Sequence, residues 1–187
     1  MPLFRMLLLC GLLAMTAAGC TPGNVKPIPP VAQLDLPRFM GDWYVIAHIP
    51  SFPERHAFDA VESYELRPDG RIQTTFRYRN KRFDAPMKTM RPVGTVKPGT
   101  GNAVWGMQFV WPIQAEYVVV HVSDDYSQTI VGRTARDYAW IMARTPKISP
   151  EDYAAHLQRL RALGYDLADL RVVPQSAAQD VTAAARP

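Results

Sequence analysis

The chain has 187 residues, 48% of them hydrophobic, with 21 basic against 17 acidic side chains and two cysteines. So small a positive surplus, with no basic stripe and no recognition motif, excludes an electrostatic nucleic-acid binder, and two cysteines exclude a disulfide-built scaffold. The length suits one domain with its own core.

Residues 1–19 have the anatomy of a secretory signal: Arg5, an apolar run from Met6 to Met15, then small residues up to Cys20. The run is too short to span a bilayer. The "AAGC" that closes it resembles the lipobox of bacterial lipoproteins, in which cleavage leaves the cysteine, here Cys20, to be acylated. Ala17 stands where that pattern usually has leucine, and an ordinary signal with an incidental cysteine is the other reading. The lipoprotein resemblance implies a membrane anchor of several acyl chains, since one chain holds only marginally. Thr21 replaces the aspartate that retains such proteins at the inner membrane, which implies the outer membrane and its periplasmic face. Cys10 leaves with the signal, so the mature domain has no cysteine pair to close in an oxidising compartment.

From Cys20 to residue 33 the chain is proline-rich and reads as a semi-extended tether. Residues 34–174 form the single domain, and residues 175–187, small and polar, read as a disordered tail. Within the body, eight strand-like runs are separated by turn signals: "WYVIAHI", "SYEL", "RIQTTFRYR", "KTMRPVGTV", "AVWGMQFVW", "AEYVVVHV", "SQTIVG" and "DYAWIMAR". The "RPDG" at residues 67–70 makes a tight turn between the second and third. In the third, Ile72, Thr74, Phe76 and Tyr78 alternate with polar neighbours, so one face is wet. "YVVVHV" and "YAWIMA" are apolar on both faces and need cover from outside. The helix predicted to supply it begins at Ser149 and Pro150, stops at Gly164, and carries Tyr153, Leu157 and Leu160 on one stripe. The fold class expected is all-β: an eight-stranded antiparallel up-and-down barrel with a C-terminal α-helix packed outside.

Three short stretches sharpen this. "LPRFMGDWYVIA" places Gly41 and Trp43 at the start of the first strand, "DDYSQTIVG" holds Asp125 and Tyr126, and "DYAWIMARTPKISPE" holds Arg144. In order and spacing they resemble the three signatures of the lipocalins, with Asp124 where the second usually has threonine. The nearest likeness is to bacterial outer-membrane lipoprotein lipocalins and apolipoprotein D, across roughly residues 34–174. The resemblance implies that Gly41 lets the chain bend sharply, that Trp43 plugs the closed end, and that Arg144 lies across its indole, a contact worth about 0.5 to 2 kcal/mol.

Such signatures hold a barrel shut and do not select a guest. For that, "AVWGMQFVW" puts Trp105, Met107, Phe109 and Trp111 on one face by alternation. With Phe76, with Tyr117 from the facing strand region and with Trp140, which the resemblance to apolipoprotein D implies lines the cavity, the first three of these make the candidate ligand-binding set, suited to an acyl chain or flat apolar molecule. A lumen filled by the same side chains, with no room for a guest, is the competing reading. Arg77, Arg79, Lys81 and Arg82 cluster near a hairpin tip, either as a solvated loop or against lipid phosphate. The four histidines lack metal-ligand spacing and there is no nucleophile elbow or phosphate loop, so no cofactor, no metal and no catalytic residue are expected. The function expected from the resemblance is reversible binding of a fatty acid or lysophospholipid for envelope maintenance. A lipid-ester-processing enzyme and a non-binding scaffold are the alternatives, and pairing into a homodimer is left open.

Overall fold

A computed structural model describes residues 26–176, so the signal, Cys20 and most of the tail lie outside the described residues. The elements are α1 (Leu36–Phe39), β1 (Gly41–Ile49), β2 (Ala57–Leu66), β3 (Ile72–Asn80), β4 (Met87–Met90), β5 (Val93–Val96), β6 (Val104–Val110), β7 (Ile113–Val122), β8 (Gln128–Gly132), β9 (Ala139–Ala143), α2 (Pro150–Ala162) and β10 (Arg171–Val172). Each strand pairs antiparallel with its neighbour, and β9 returns to pair with β1, which closes the sheet on itself. Closure removes the free edges that an open sheet would expose.

All eight expected runs are strands, with adjustments that have physical causes. The second starts at Ala57, six residues before "SYEL". The fourth is two pieces, β4 and β5, both paired to β3. They are split at Arg91–Pro92 because proline has no N–H to give the ladder, and the Pro92 carbonyl takes the Thr74 N–H instead at 3.0 Å. Together they make one stave, so the barrel has eight. The run "AVWGMQFVW" does not keep its alternation: the β6–β7 register shifts between Met107 and Val110, which turns Trp111 out to solvent, 82% exposed.

Two hydrophobic layers result. Inside the barrel, Phe39, Trp43, Val45, Tyr64, Ile72, Phe76, Trp105, Tyr117 and Met142 belong to one cluster. Outside, Val118, Ile130 and Ile141 pack with Leu160 of α2, with Tyr153 and Leu157 beside them, which accounts for the two doubly apolar strands. Helix α2 starts where expected, with the Ser149 hydroxyl accepting the Asp152 N–H at 3.0 Å, and Gly164 follows it at φ +87°.

The segments read as tether and tail are held where they are described. Ile28 is buried, and the Val31 N–H bonds the Val119 carbonyl at 2.9 Å. Gly101 lets this strap pass so closely that a Cβ would lie 2.0 Å from the Ala32 carbonyl oxygen. At the other end, buried Gln175 donates to the carbonyls of Val45 and Ala60, and Ser176 bonds Asp59. A proline-rich or polar composition does not reveal such bonds, because they are made by the backbone and by two polar side chains, Gln175 and Ser176, whose partners lie far off in sequence.

Candidate functional site

The strand directions give the barrel two ends. Strand β1 begins at the end where α1 sits, so the connections 67–71, 97–103 and 123–127 lie there, and 50–56, 81–86, 111–112 and 133–138 lie at the other.

At the α1 end the barrel is shut. Trp43 is fully buried and donates its indole N–H to the Phe39 carbonyl at 2.8 Å. The Arg144 guanidinium lies 3.7 Å from the Trp43 ring centroid and donates to the carbonyls of Arg38, Met40 and Asp42, each at 2.8 Å, and of Tyr126 at 3.3 Å. Arginine suits this place because one planar fork reaches four carbonyls while its face rests on the indole. Gly41 has φ +93°, a conformation that L side chains rarely adopt. Asp125 accepts from the Ser123 and Ser127 hydroxyls at 2.7 Å each, and these bonds hold its pKa down to about 2. Tyr126 stands at φ +60°, accepts the Asp35 N–H at 2.9 Å, and carries the Arg38 guanidinium 4.1 Å over its ring.

Above this plug lies a cavity of about 370 Å³, open at the far end. Five of the six candidate ligand residues line it: Phe76, Met107, Phe109, Tyr117 and Trp140. Trp105 does not. It is fully buried one layer lower, its ring stacked on Tyr117 at 4.8 Å and 7° and its N–H given to the Asn102 carbonyl, so it belongs to the floor. Phe109 lies at the mouth, 56% exposed.

The sequence reading missed the polar part of the lining. Glu62 faces the lumen from β2, with Tyr64 donating to its carboxylate, and the Tyr64 and Tyr117 hydroxyls lie 2.5 Å apart. Burial, the dominant cause, lifts the Glu62 pKa to about 7; burial likewise pushes both phenols well above their usual value. The buried Thr74 hydroxyl, on the same wall, has no partner among the described residues. Nearer the mouth, Glu54 accepts from the Ser51 hydroxyl at 2.6 Å and the Trp140 indole at 3.1 Å, with His48 Nδ1 at 3.5 Å. Burial works to raise the Glu54 pKa, yet these partners together hold it below the usual carboxylate value. The signal for Glu62 was its parity with Tyr64, hidden because the strand was begun one residue after it.

The basic cluster divides. Arg77 is 3.3 Å from Asp42 and Arg79 is 3.4 Å from Asp59, both on the barrel wall, and only Lys81 and Arg82 reach the mouth.

The family model described as "Lipocalin-like domain" matches residues 34–175. The outer membrane lipoprotein Blc of Citrobacter freundii is 33% identical over 144 residues, covering 74% of this chain and 80% of that protein. Apolipoprotein D of Bos taurus is 27% identical over 134 residues, 67% of this chain and 69% of that protein. Among solved structures, insecticyanin from the tobacco hornworm Manduca sexta superposes with a TM-score of 0.64 at 16% identity, over 81% of this chain and 86% of that one, a likeness of fold. A barrel closed by Trp43 and Arg144, a lumen open at one end and a family match over the whole domain agree: this chain belongs to the lipocalin family.

Proposed function

We propose that this protein is an outer-membrane lipoprotein, anchored through Cys20 on the periplasmic face, that reversibly holds a fatty acid or lysophospholipid in its barrel for envelope maintenance. Lipocalins as a family bind and transport small hydrophobic ligands. The observation that carries the reading here is the cavity of about 370 Å³, which lies within the size range of small-molecule sites and is lined by Phe76, Met107, Tyr117 and Trp140. The relation to Blc, named an outer membrane lipoprotein, supports the location.

Affinity follows from magnitudes. Ten methylenes leaving water contribute roughly 8 kcal/mol, against an association cost of about 4 to 15 kcal/mol. A preformed pocket reduces that cost, so binding is moderate and release is practicable, as a carrier requires. The test is titration of the purified protein with a long-chain fatty acid and with a lysophospholipid while following tryptophan fluorescence, which should saturate. Native mass spectrometry of protein gently extracted from its membrane should show a co-purifying lipid. Absence of saturable binding would favour a scaffold, and release of free fatty acid from the lysophospholipid would favour an enzyme.

A further inference from the structure

The open end carries a surface that the cavity does not account for. Phe52 is 80% exposed, Met87 45%, and the β6–β7 tip presents Phe109, Val110, Trp111 and Ile113 at 56, 69, 82 and 71%. Of the two other exposed large apolar residues among the described residues, Leu66 lies at the closed end and Val172 on the outer wall beside Ala47, so the rim itself carries most of the apolar exposure. Such a collar around a pocket mouth marks an interaction face.

Charge narrows the partner. Arg55, Lys81 and Lys88 are exposed at the same end and none forms an ion pair among the described residues. Of the acids at that end, Asp84 pairs with Arg82 at 3.1 Å, Asp137 with Arg133 at 3.0 Å and Asp59 with Arg79 at 3.4 Å, Glu116 accepts the Thr134 N–H and hydroxyl, and Glu54 is buried. An apolar tip bearing a tryptophan and flanked by unpaired cations matches an anionic lipid surface, where indole sits at headgroup level and lysine and arginine meet phosphate. A second copy of this chain fits less well, because a symmetric contact would bring the same cations face to face.

Chain geometry points the same way. The Arg136 guanidinium donates to the Lys26 carbonyl at 2.5 Å and the Ile28 N–H to the Thr134 hydroxyl at 3.4 Å. Residue 26 is therefore beside the 133–138 connection of the open end. Cys20 is six residues upstream, a reach of about 20 Å at most. An anchor at Cys20 would thus leave from the end that carries the apolar collar.

We propose that the open rim docks on an anionic bilayer, with the β6–β7 tip and Phe52 in the headgroup layer and Arg55, Lys81 and Lys88 on phosphates, so that the lumen opens toward the lipid. The orientation relative to an anchor rests on the lipoprotein reading; the docking itself does not. A guest then passes between membrane and barrel without crossing bulk water.

The test uses the mature chain acylated at Cys20, in vesicles of phosphatidylglycerol and phosphatidylethanolamine whose acyl chains are brominated. Tryptophan emission should be quenched, and most of that quenching should vanish in Trp111→Phe. In parallel, the unacylated Cys20→Ser chain should bind phosphatidylglycerol vesicles at least ten-fold more tightly than phosphatidylcholine vesicles. The double variant Trp111→Ser, Ile113→Ser should lose about ten-fold of that binding while fatty-acid titration in solution is unchanged. Acylated protein that stays with the vesicles but shows no Trp111-dependent quenching would overturn docking and leave the anchor standing. Phosphatidylglycerol-selective binding by the Cys20→Ser chain, together with protein from its own membrane that mass spectrometry shows unmodified at Cys20, would support docking and remove the anchor. Self-association abolished by Trp111→Ser, without vesicle quenching, would give the collar to a second copy and overturn the proposal.

Discussion

The two ends of the barrel are built from the same strands and solve opposite problems. At the closed end Phe39, Trp43, Tyr64 and Trp105 contact one another ring to ring at 5.0 to 5.7 Å, and Arg144 ties four carbonyls of the surrounding chain together. At the open end the aromatic side chains of Phe52, Phe109 and Trp111 stand in solvent, while buried polar groups, Glu54 and Glu62, line the wall below. The contrast is one of physical constraint. The closed end fixes shape through contacts that admit few substitutes, whereas the open end keeps a vacancy whose lining can vary without unmaking the barrel.

The contrast is broken most severely by Gly41→Val. A β-branched residue at φ +93°, with its Cβ 3.4 Å from the Arg144 guanidinium, should lose about 3 kcal/mol or more, seen as a lowered denaturant midpoint or failure to fold. Next comes Trp140→Arg. Glu54 already faces Trp140 Nε1 at 3.1 Å and offers the new guanidinium a partner, so the fold should persist within about 1 kcal/mol while the charged lumen costs roughly 100-fold in fatty-acid affinity. Retained affinity would remove Trp140 from the site.

Glu62→Gln sharpens the comparison through pH. The folded carboxyl titrates at about 7, above the ordinary value of 4.5, so the unfolded chain ionises first. The carboxyl's contribution to wild-type stability is therefore full below about 4.5 and is lost as pH rises through about 7, on the order of 3 kcal/mol at completion. The glutamine variant should lack that decline, so the gap between the two unfolding curves should widen from pH 5 to pH 8. Least affected is Trp111→Ser: at 82% exposure the side chain contributes little to folding in solution, and thermal unfolding should move within about 0.5 kcal/mol.

What was legible in the sequence follows the same division. Gly41, Trp43, Asp125, Tyr126 and Arg144 could be read because each occupies a position of fixed conformation or contact, and helix α2 because its cap, proline and terminal glycine are local signals. The lumen was legible mainly by parity, with Trp140 supplied by resemblance and Tyr117 by its strand region. Parity placed Phe76, Met107 and Phe109, put Trp105 in the lumen instead of under its floor, and failed at Trp111, where a register shift resets the alternation. Glu54 was out of reach for another reason: it sits on a single 3-10 turn, Phe52–Glu54, and enters the wall through tertiary contacts with His48 and Trp140 that no local pattern encodes.

The strap ahead of α1 has a mechanical consequence. It starts beside the open rim at Lys26, runs along the outer wall with Ile28 buried and Val31 bonded to Val119, and finishes at the base where the Leu34 N–H meets the Gly101 carbonyl at 2.8 Å. Tension applied to the N-terminus therefore pulls lengthwise against several attachments at once instead of peeling a single strand, so a pull at the leash is spread as shear over the barrel's flank and reaches the base last.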